Sequence, residues 1–339
     1  MEKISVEFET ITPIFTGDAW RECTELKPSS IMGSLRFWFE VYCHFAGIVV
    51  KEKEELKDKE YQKILKDLKK DIDRRVDVKD LDKYVFDKLP LTLPSKIFGC
   101  TGWKSRIEIE SIRYLDDYCF GNRLNLPNKI CIKKREDASG NCPSKSNGYW
   151  SVWHLPQPYF FGKFEVVFKT TEEIRDNILL PLLNFIQNYG FLGAKNNIGY
   201  GRVRVLAPDL SSYSIIKISK FIDKENITLE IFQKTLLAFP LKTNDKLMLP
   251  DKIYYCETNL KDENLIEIIK KLLIHKSSLR RHLKKEKKYT STERHFIFGF
   301  VSKKHNEATK IIPLITKNGK VYEGNLLSIM GIKNFGDKK

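Results

Sequence analysis

The sequence predicts an α+β fold, and three observations predict it. Segments at residues 4–11, 105–114, 163–169 and 200–206 alternate apolar and polar side chains, the period of a half-buried strand. Between them, Ile31, Leu35, Trp38, Tyr42 and Phe45, and later Ile174, Ile178, Leu182 and Ile186, recur at spacings of three and four, the mark of one helix face. The resulting order is strand, helix, strand, strand, helix, strand. That is the ferredoxin-like pattern, shared by RNA-recognition domains.

Each element has a local reason. The first strand, ISVEFETI, puts Ile4, Val6 and Phe8 on one face and stops at Thr12-Pro13. A polar loop containing Gly17, Asp18 and Glu25 leads to Pro28, Ser29 and Ser30, whose capping chemistry opens the first helix; Gly47 is the expected stop. Residues 51–89 are dense in lysine, glutamate and aspartate yet keep a stripe of Tyr61, Ile64, Leu65, Leu68 and Ile72. They read as one or two exposed helices inserted into the fold. Residues 115–158 are rich in Gly, Pro, Asn and Ser, with short strands expected at 129–133 and 149–152. Thr171, Glu172 and Glu173 start the second helix with acidic groups at the positive end of its dipole. Pro181 should kink or split that helix, and Gly190 should close it.

Residues 209–339 are less periodic. Strands are expected at 214–219, 296–301 and 311–316, helices at 228–238 and 263–284, and an Asn318-Gly319 turn joins the last strand to Val321. The division that follows is residues 1–208, with a helical insertion at about 51–89, and a second, divergent ferredoxin-like domain over 209–339. The second rests on element order alone.

The chain has 339 residues and a net charge of +15, a surplus that favours polyanionic partners such as RNA, DNA or an anionic membrane. No apolar run approaches the ~20 residues of a membrane span, and the start MEKISVEFE has no signal-like segment, so a cytoplasmic protein is expected. The seven cysteines are odd in number and none are close in sequence. Cys119, Cys131, Cys142 and His154 lack the paired spacing of a structural zinc site. Reduced thiols are therefore expected, with no metal and no cofactor.

Three basic surfaces are candidates for binding a polyanion. The first is the loop in YGFLGAKNNIGYGRVRV, residues 190–201, where Gly190, Gly193, Gly199 and Gly201 accompany Lys195, Asn196, Asn197 and Arg202. Exposed amides with cations suit phosphate oxygens. A nucleotide-binding glycine motif follows a strand and opens a helix, and here the order is reversed. From spacing alone, a phosphate cradle and a plain helix-to-strand connection are balanced. The second surface is the start of the first helix, with Lys27, Ser29, Ser30 and Gly33, and Arg36 a turn further on. Trp38 lies on the apolar stripe and is assigned to the core. The third is Lys276, Arg280, Lys284 and Lys288 at spacing four, with Arg281 and Lys285 beside them, a cationic ridge if helical. The last strand of the first domain lacks the stacking aromatics of RNA-recognition domains, so the sheet face is not the expected RNA surface.

The stretches ITPIFTG, PSSIMGSLRFWFE, SKIFGCTGWKSRIEI and GFLGAKNNIGYGRVRV, with a later RHFIFG at residues 294–299, resemble in order and content the RAMP superfamily of CRISPR proteins, and within it the first subunits of type III-B (Cmr) effector complexes. The resemblance is weakest at residues 51–89 and 209–281. It implies two tandem ferredoxin-like domains and assembly with other Cmr subunits around guide RNA, near the guide's 3′ region and the target RNA. It also implies a binding role, since cleavage of the target belongs to a different, repeated subunit. Carried over residue by residue, the RNA-facing positions are Lys27, Ser30 and Arg36, then Lys104 and Arg106, then Lys195, Asn196, Asn197 and Arg202, with His295 structural. Asp18 and Glu25 read as ordinary loop carboxylates. The competing expectation is a metal-independent endoribonuclease that processes guide RNA with a histidine acid–base pair. Of His44, His154, His275, His282, His295 and His305, His282 is the best placed for that role, on the cationic ridge.

Overall fold

The computed structural model describes residues 1–17, 22–45, 54–74, 81–133, 139–140, 150–213, 260–285, 290–301, 306–307 and 309–328. In chain order the elements are β1 (Glu2–Thr10), α1 (Pro28–Phe45), α2 (Asp58–Asp73), α3 (Leu81–Lys88), α4 (Leu93–Phe98) and β2 (Glu108–Tyr114). Short strands follow: β3 (Phe120–Gly121), β4 (Lys129–Lys133), β5 (Ser139–Gly140), β6 (Trp150–His154) and β7 (Tyr159–Phe160). Then come β8 (Lys163–Thr170), α5 (Glu172–Ile174), α6 (Leu180–Tyr189) and β9 (Val203–Ala207). The remainder holds β10 (Leu260–Asp262), α7 (Leu265–Lys285), α8 (Ser291–Phe298), β11 (Phe300–Val301), β12 (Asn306–Glu307), β13 (Ile311–Asn318) and β14 (Val321–Ser328). The expected strand at 214–219, the helix at 228–238 and the Gly47 stop lie outside the described residues.

The architecture is α+β with several antiparallel sheets. The largest has the strand order β2-β8-β1-β9, every neighbour antiparallel. Helix α1 connects toward β2, and α5–α6 connects β8 to β9, so two strand–helix–strand units interleave in one sheet. Val6, Phe8, Phe164, Val166, Phe168 and Val203 point inward onto α1 and α6, whose Leu35, Trp38, Leu182 and Ile186 are buried against them. Trp38 is a core residue, as its stripe predicts, and its indole N–H donates to the Phe191 carbonyl at 3.1 Å.

Pro181 splits the second helix by a specific route. Proline cannot donate to the carbonyl four residues earlier. The preceding turn, Arg175–Leu179, widens to π geometry, and the Leu180 N–H reaches Arg175 instead. The charged insertion folds as α2 and α3, and it packs a small cluster of Leu56, Ile64 and Leu89. One expectation fails: residues 296–301 are not a strand throughout. Helix α8 runs to Phe298, and Gly299, at φ 77°, ends it in a left-handed turn.

The two apolar clusters do not divide at residue 208. Ile312, Leu314 and Leu327 join the core beneath the four-stranded sheet, while Ile11, Phe15, Tyr159, Ile198 and Tyr200 join a second core with Leu265, Ile268 and Leu272 of α7. At the seam sits Arg202, fully buried. Its guanidinium donates to the carbonyls of Ile186 (3.0 Å), Gln187 (2.6 Å), Asn188 (3.3 Å) and Gly190 at the end of α6, and to Ile315 (3.1 Å) on β13. The carbonyls at a helix C-terminus have no partner within the helix and favour a cation. One side chain therefore caps α6 and ties it to the C-terminal hairpin. Burial pulls the Arg202 pKa down to about 9, which leaves it charged at neutral pH.

Arg202→Met should strip five carbonyls of a donor and lower stability by about 3 kcal/mol or more, roughly 4 °C or more in Tm for a chain of this size, read by thermal unfolding. Gly201 sits at φ 93°, and a Cβ there would lie 2.3 Å from the Leu192 carbonyl oxygen. Gly201→Ala should therefore cost roughly 2 kcal/mol. Gly33, inside α1 with nothing within 4 Å of a Cβ, gives the opposite sign: Gly33→Ala should stabilise by roughly 0.5–1 kcal/mol in the same assay.

Candidate nucleic-acid interface

The glycine loop is first of all an internal seam. The Gly193 N–H donates to Ser34 Oγ at 2.9 Å, Ala194 N–H to Phe15 at 2.8 Å, and Gly201 N–H to Pro13 at 2.7 Å. Its close approaches are to its own chain. A Cβ at Gly193 would meet the Phe15 carbonyl oxygen at 2.7 Å, and one at Gly199 would meet Pro313 and Ile315 at 3.2 Å. These glycines let three segments of backbone touch, which corrects the reading of the loop as a glycine cradle for phosphate. What remains accessible is the crest, with exposed Ala194 and Lys195 and a half-buried 3-10 turn at Asn196–Ile198. Lys195 is held in the left-handed region, at φ 67°.

Two expected contact residues are committed inside the molecule. Arg202 is the buried cap described above and presents nothing to a partner. Arg36 donates to Glu40 (2.7 Å), to the Gly99 carbonyl (2.6 Å) and to Ser95 Oγ (3.3 Å), so it locks α1 to α4. Lys27 and Ser30 are half-buried at the start of α1; the Lys27 carbonyl accepts from the Ser30 and Ile31 amides. Ser34 links this helix start to the glycine loop, because its hydroxyl donates to the Ser30 carbonyl at 2.9 Å and accepts from Gly193. Lys104 is exposed and pairs with Glu108 at 2.7 Å, while Arg106 lies over the Trp103 ring at 4.8 Å. These last two stand on the α4–β2 connection, and no described hydrogen bond or ion pair joins them to the loop crest.

The cationic ridge is real as a row on α7, but Lys276 and Arg280 do not stand on an outer face. Ile268, Leu272, Lys276, Arg280 and Lys284 follow one another at spacing four, so the cations continue the buried apolar stripe. Lys276 is 2% exposed. Its ammonium donates to the Asn197 carbonyl at 3.1 Å and lies 5.3 Å from the Trp153 ring centroid. Burial first, and then Arg280, pushes its pKa down to about 7. Arg280 is half-buried over the Phe298 ring at 5.8 Å; burial and then Arg294 lower its pKa as well. Lys284 is exposed, and Lys288 lies outside the described residues.

Between α7, α8 and the β4–β6 pair lies a cavity of about 570 Å³. Five cations line it: Lys276, Arg280, Arg281, Lys284 and Arg294. Among the described residues, no aspartate or glutamate lines it. The structure thus brings together the loop crest and the late helix, through the bond from Lys276 to Asn197. Sequence reading undervalued Arg294, noted only within RHFIFG, and missed the β4–β6 wall with Ser151 and Trp153, whose approach to α7 is long-range and leaves no local signal.

The outer face of the four-stranded sheet is built differently. Glu110 pairs with Lys169 (2.7 Å) and Lys3 (2.8 Å), and both hold its carboxyl below the usual range, Lys169 most strongly. Glu165 accepts from Ser5 and Arg113, which lower its pKa in that order. Arg204 approaches Glu9 at 3.9 Å. Cations here are already matched by carboxylates, consistent with a sheet face that lacks the stacking aromatics of RNA-recognition domains.

Among the described residues no His, Cys, Asp or Glu group has the geometry of a metal site, and no helix is long and apolar enough to cross a membrane. Among the described residues, Cys23, Cys43, Cys100 and Cys119 stand outside any disulfide, and Cys131 is in one, against the expectation that all are reduced.

No curated protein sequence matches the chain. Among solved structures, it is similar to Cmr1 from Pyrococcus furiosus in its apo form, at 17% identity and TM-score 0.41, over 96% of this chain and 87% of that one. It is also similar to a chain of the type III-B Cmr-β complex bound to cognate target RNA and AMPPnP, at 12% identity and TM-score 0.44, over 98% and 96% of the two chains. A chain of a type IV-B CRISPR complex matches at 13% identity and TM-score 0.32, over 61% and 91%. The family model of the RAMP superfamily spans residues 7–204, from β1 through the glycine loop to β9. That span takes in most of the interleaved sheet together with Arg202, and by it the chain belongs to the RAMP superfamily.

Proposed function

We propose that this chain is an RNA-binding subunit, itself non-catalytic, of a type III-B CRISPR (Cmr) effector complex. It engages the 3′ region of guide RNA, target RNA, or both, beside other Cmr subunits. The observation that carries this reading is the junction of the loop crest with α7. There Arg280, Arg281, Lys284 and Arg294 line a cavity without a carboxylate in its described lining, and Lys195 stands on the adjoining crest. A concave surface of one charge sign attracts a polyanion, which releases its counterions on binding. The superfamily and the ordered motifs supply the setting. In the same reading the β2-β8-β1-β9 unit is one ferredoxin-like domain. The β10-β14-β13 sheet under α7 then belongs to a second, divergent one.

Binding of a labelled single-stranded RNA, followed by anisotropy across a salt series, tests this. Affinity should fall steeply with salt. The variant carrying Lys195→Ala, Arg280→Ala and Lys284→Ala should flatten the slope by about 2, at roughly 0.7 for each phosphate that is no longer neutralised. The RNA should be recovered intact. No binding at low salt, alone or with partner subunits, removes the proposal. Cleavage that leaves cyclic-phosphate ends and disappears with His282→Ala would replace it with the endoribonuclease reading.

A further inference from the structure

The cavity beside α7 has a chemistry narrower than general attraction for RNA. Its deep end is Lys276, almost wholly buried, and its mouth is the exposed Lys284, so the charge runs inward along one helical row. Arg280 and Arg281 enter from α7 and Arg294 from α8, while Ser151 and Ser277 add hydroxyls. The aromatic walls are partly taken. Lys276 stands over one face of Trp153 and Arg280 over one face of Phe298, and Phe298 is itself buried. The pocket therefore offers charge and hydrogen-bond donors ahead of stacking.

A phosphodiester within a chain carries one charge and two unesterified oxygens. A terminal phosphate monoester carries close to two charges at neutral pH and three strong acceptor oxygens. Four cations facing one cavity, Arg280, Arg281, Lys284 and Arg294, with Lys276 behind them, match the second far better, because each further acceptor oxygen can take a charge-assisted bond of about 1.5–3 kcal/mol. A cavity of about 570 Å³ also has the size of an ordinary small-ligand site, room for a phosphate with its nucleoside.

We propose that this pocket binds the terminal phosphate monoester of an RNA chain, so that the protein holds an RNA end as well as RNA backbone. This rests on the RNA-binding reading above. Recognition through charge and hydrogen-bond donors to the phosphate is indifferent to the identity of the last base. Lys276 is a positioning residue as well as a contact, because its bond to Asn197 ties the loop crest to the deep end of the same cavity.

The test uses the whole chain and one short single-stranded RNA in three forms: hydroxyl at both ends, a 5′-phosphate, or a 3′-phosphate. One phosphorylated form should bind about tenfold more tightly than the hydroxyl form, the effect of a single additional charge-assisted bond. The form that gains identifies the end. Inorganic phosphate should compete for the gain without displacing the hydroxyl-ended RNA. Arg280→Gln with Arg294→Gln should erase the gain, so that all three forms bind alike, at the lower affinity that the loss of these two RNA-facing cations leaves. Should that pair disturb folding, the exposed Lys284→Gln alone should shrink the gain. Equal binding of all three forms overturns the end-binding inference and leaves RNA binding standing. A gain that survives both variants places it elsewhere and likewise overturns this site. No binding of any form, with or without partner subunits, defeats the RNA reading itself.

Discussion

The structure depends on one buried cation. Arg202 spans the open end of α6 and the edge of β13, and its five carbonyl partners come from two regions that share no sheet. The left-handed turns at Gly199 and Gly201 deliver it there. Thr12 completes the joint: its hydroxyl donates to the Gly199 carbonyl at 2.7 Å and accepts from the Arg202 amide at 2.9 Å. The strand-end motif ITPIFTG and the glycine loop are thus two sides of one contact. A buried guanidinium is tolerable only where many dipoles face it, and the frayed end of a helix is a place where carbonyls are in surplus.

Charge elsewhere is divided by role. On the sheet face, carboxylates sit among the cations and hold them in pairs. Along α7 the reverse holds: Lys276, Arg280 and Lys284 extend an apolar stripe, and the described lining of their cavity has no carboxylate. Burial and mutual repulsion together lower Lys276 and Arg280, an electrostatic cost that a bound anion would relieve. Among the described residues, the cavity beside α7 is positive because acidic side chains are missing from its lining as much as because basic ones are present.

Much of the fold was legible because period and punctuation agreed with it. The strand expected at 129–133 is β4, the helix expected at 263–284 is α7 within a residue or two, and Pro181 splits its helix as its missing N–H requires. The failures are those of local reading. Arg202 and Arg204 alternate in the sequence and would share a strand face. Gly201 turns the chain just before the strand begins, so one is buried and the other exposed. Arg36 looked like a surface cation because Gly99 and Ser95 are about sixty positions away. Lys276 could have been placed correctly: the row Ile268, Leu272, Lys276 shows that it inherits the buried face. The segment at 296–301 reads as a strand by composition, but Phe296–Phe298 are the last turn of the helix that begins at Ser291.

The bond from Arg202 to Ile315 crosses 113 positions of chain. At the usual pace of synthesis, roughly 5–20 residues per second, β13 leaves the ribosome something like 6–23 seconds after β9. During that interval the first sheet can form, but the arginine destined for its interior has four of its five carbonyls and no lid. Until its C-terminal hairpin arrives the nascent protein lacks the last partner of its buried arginine, and a chain stopped before residue 315 would never gain it.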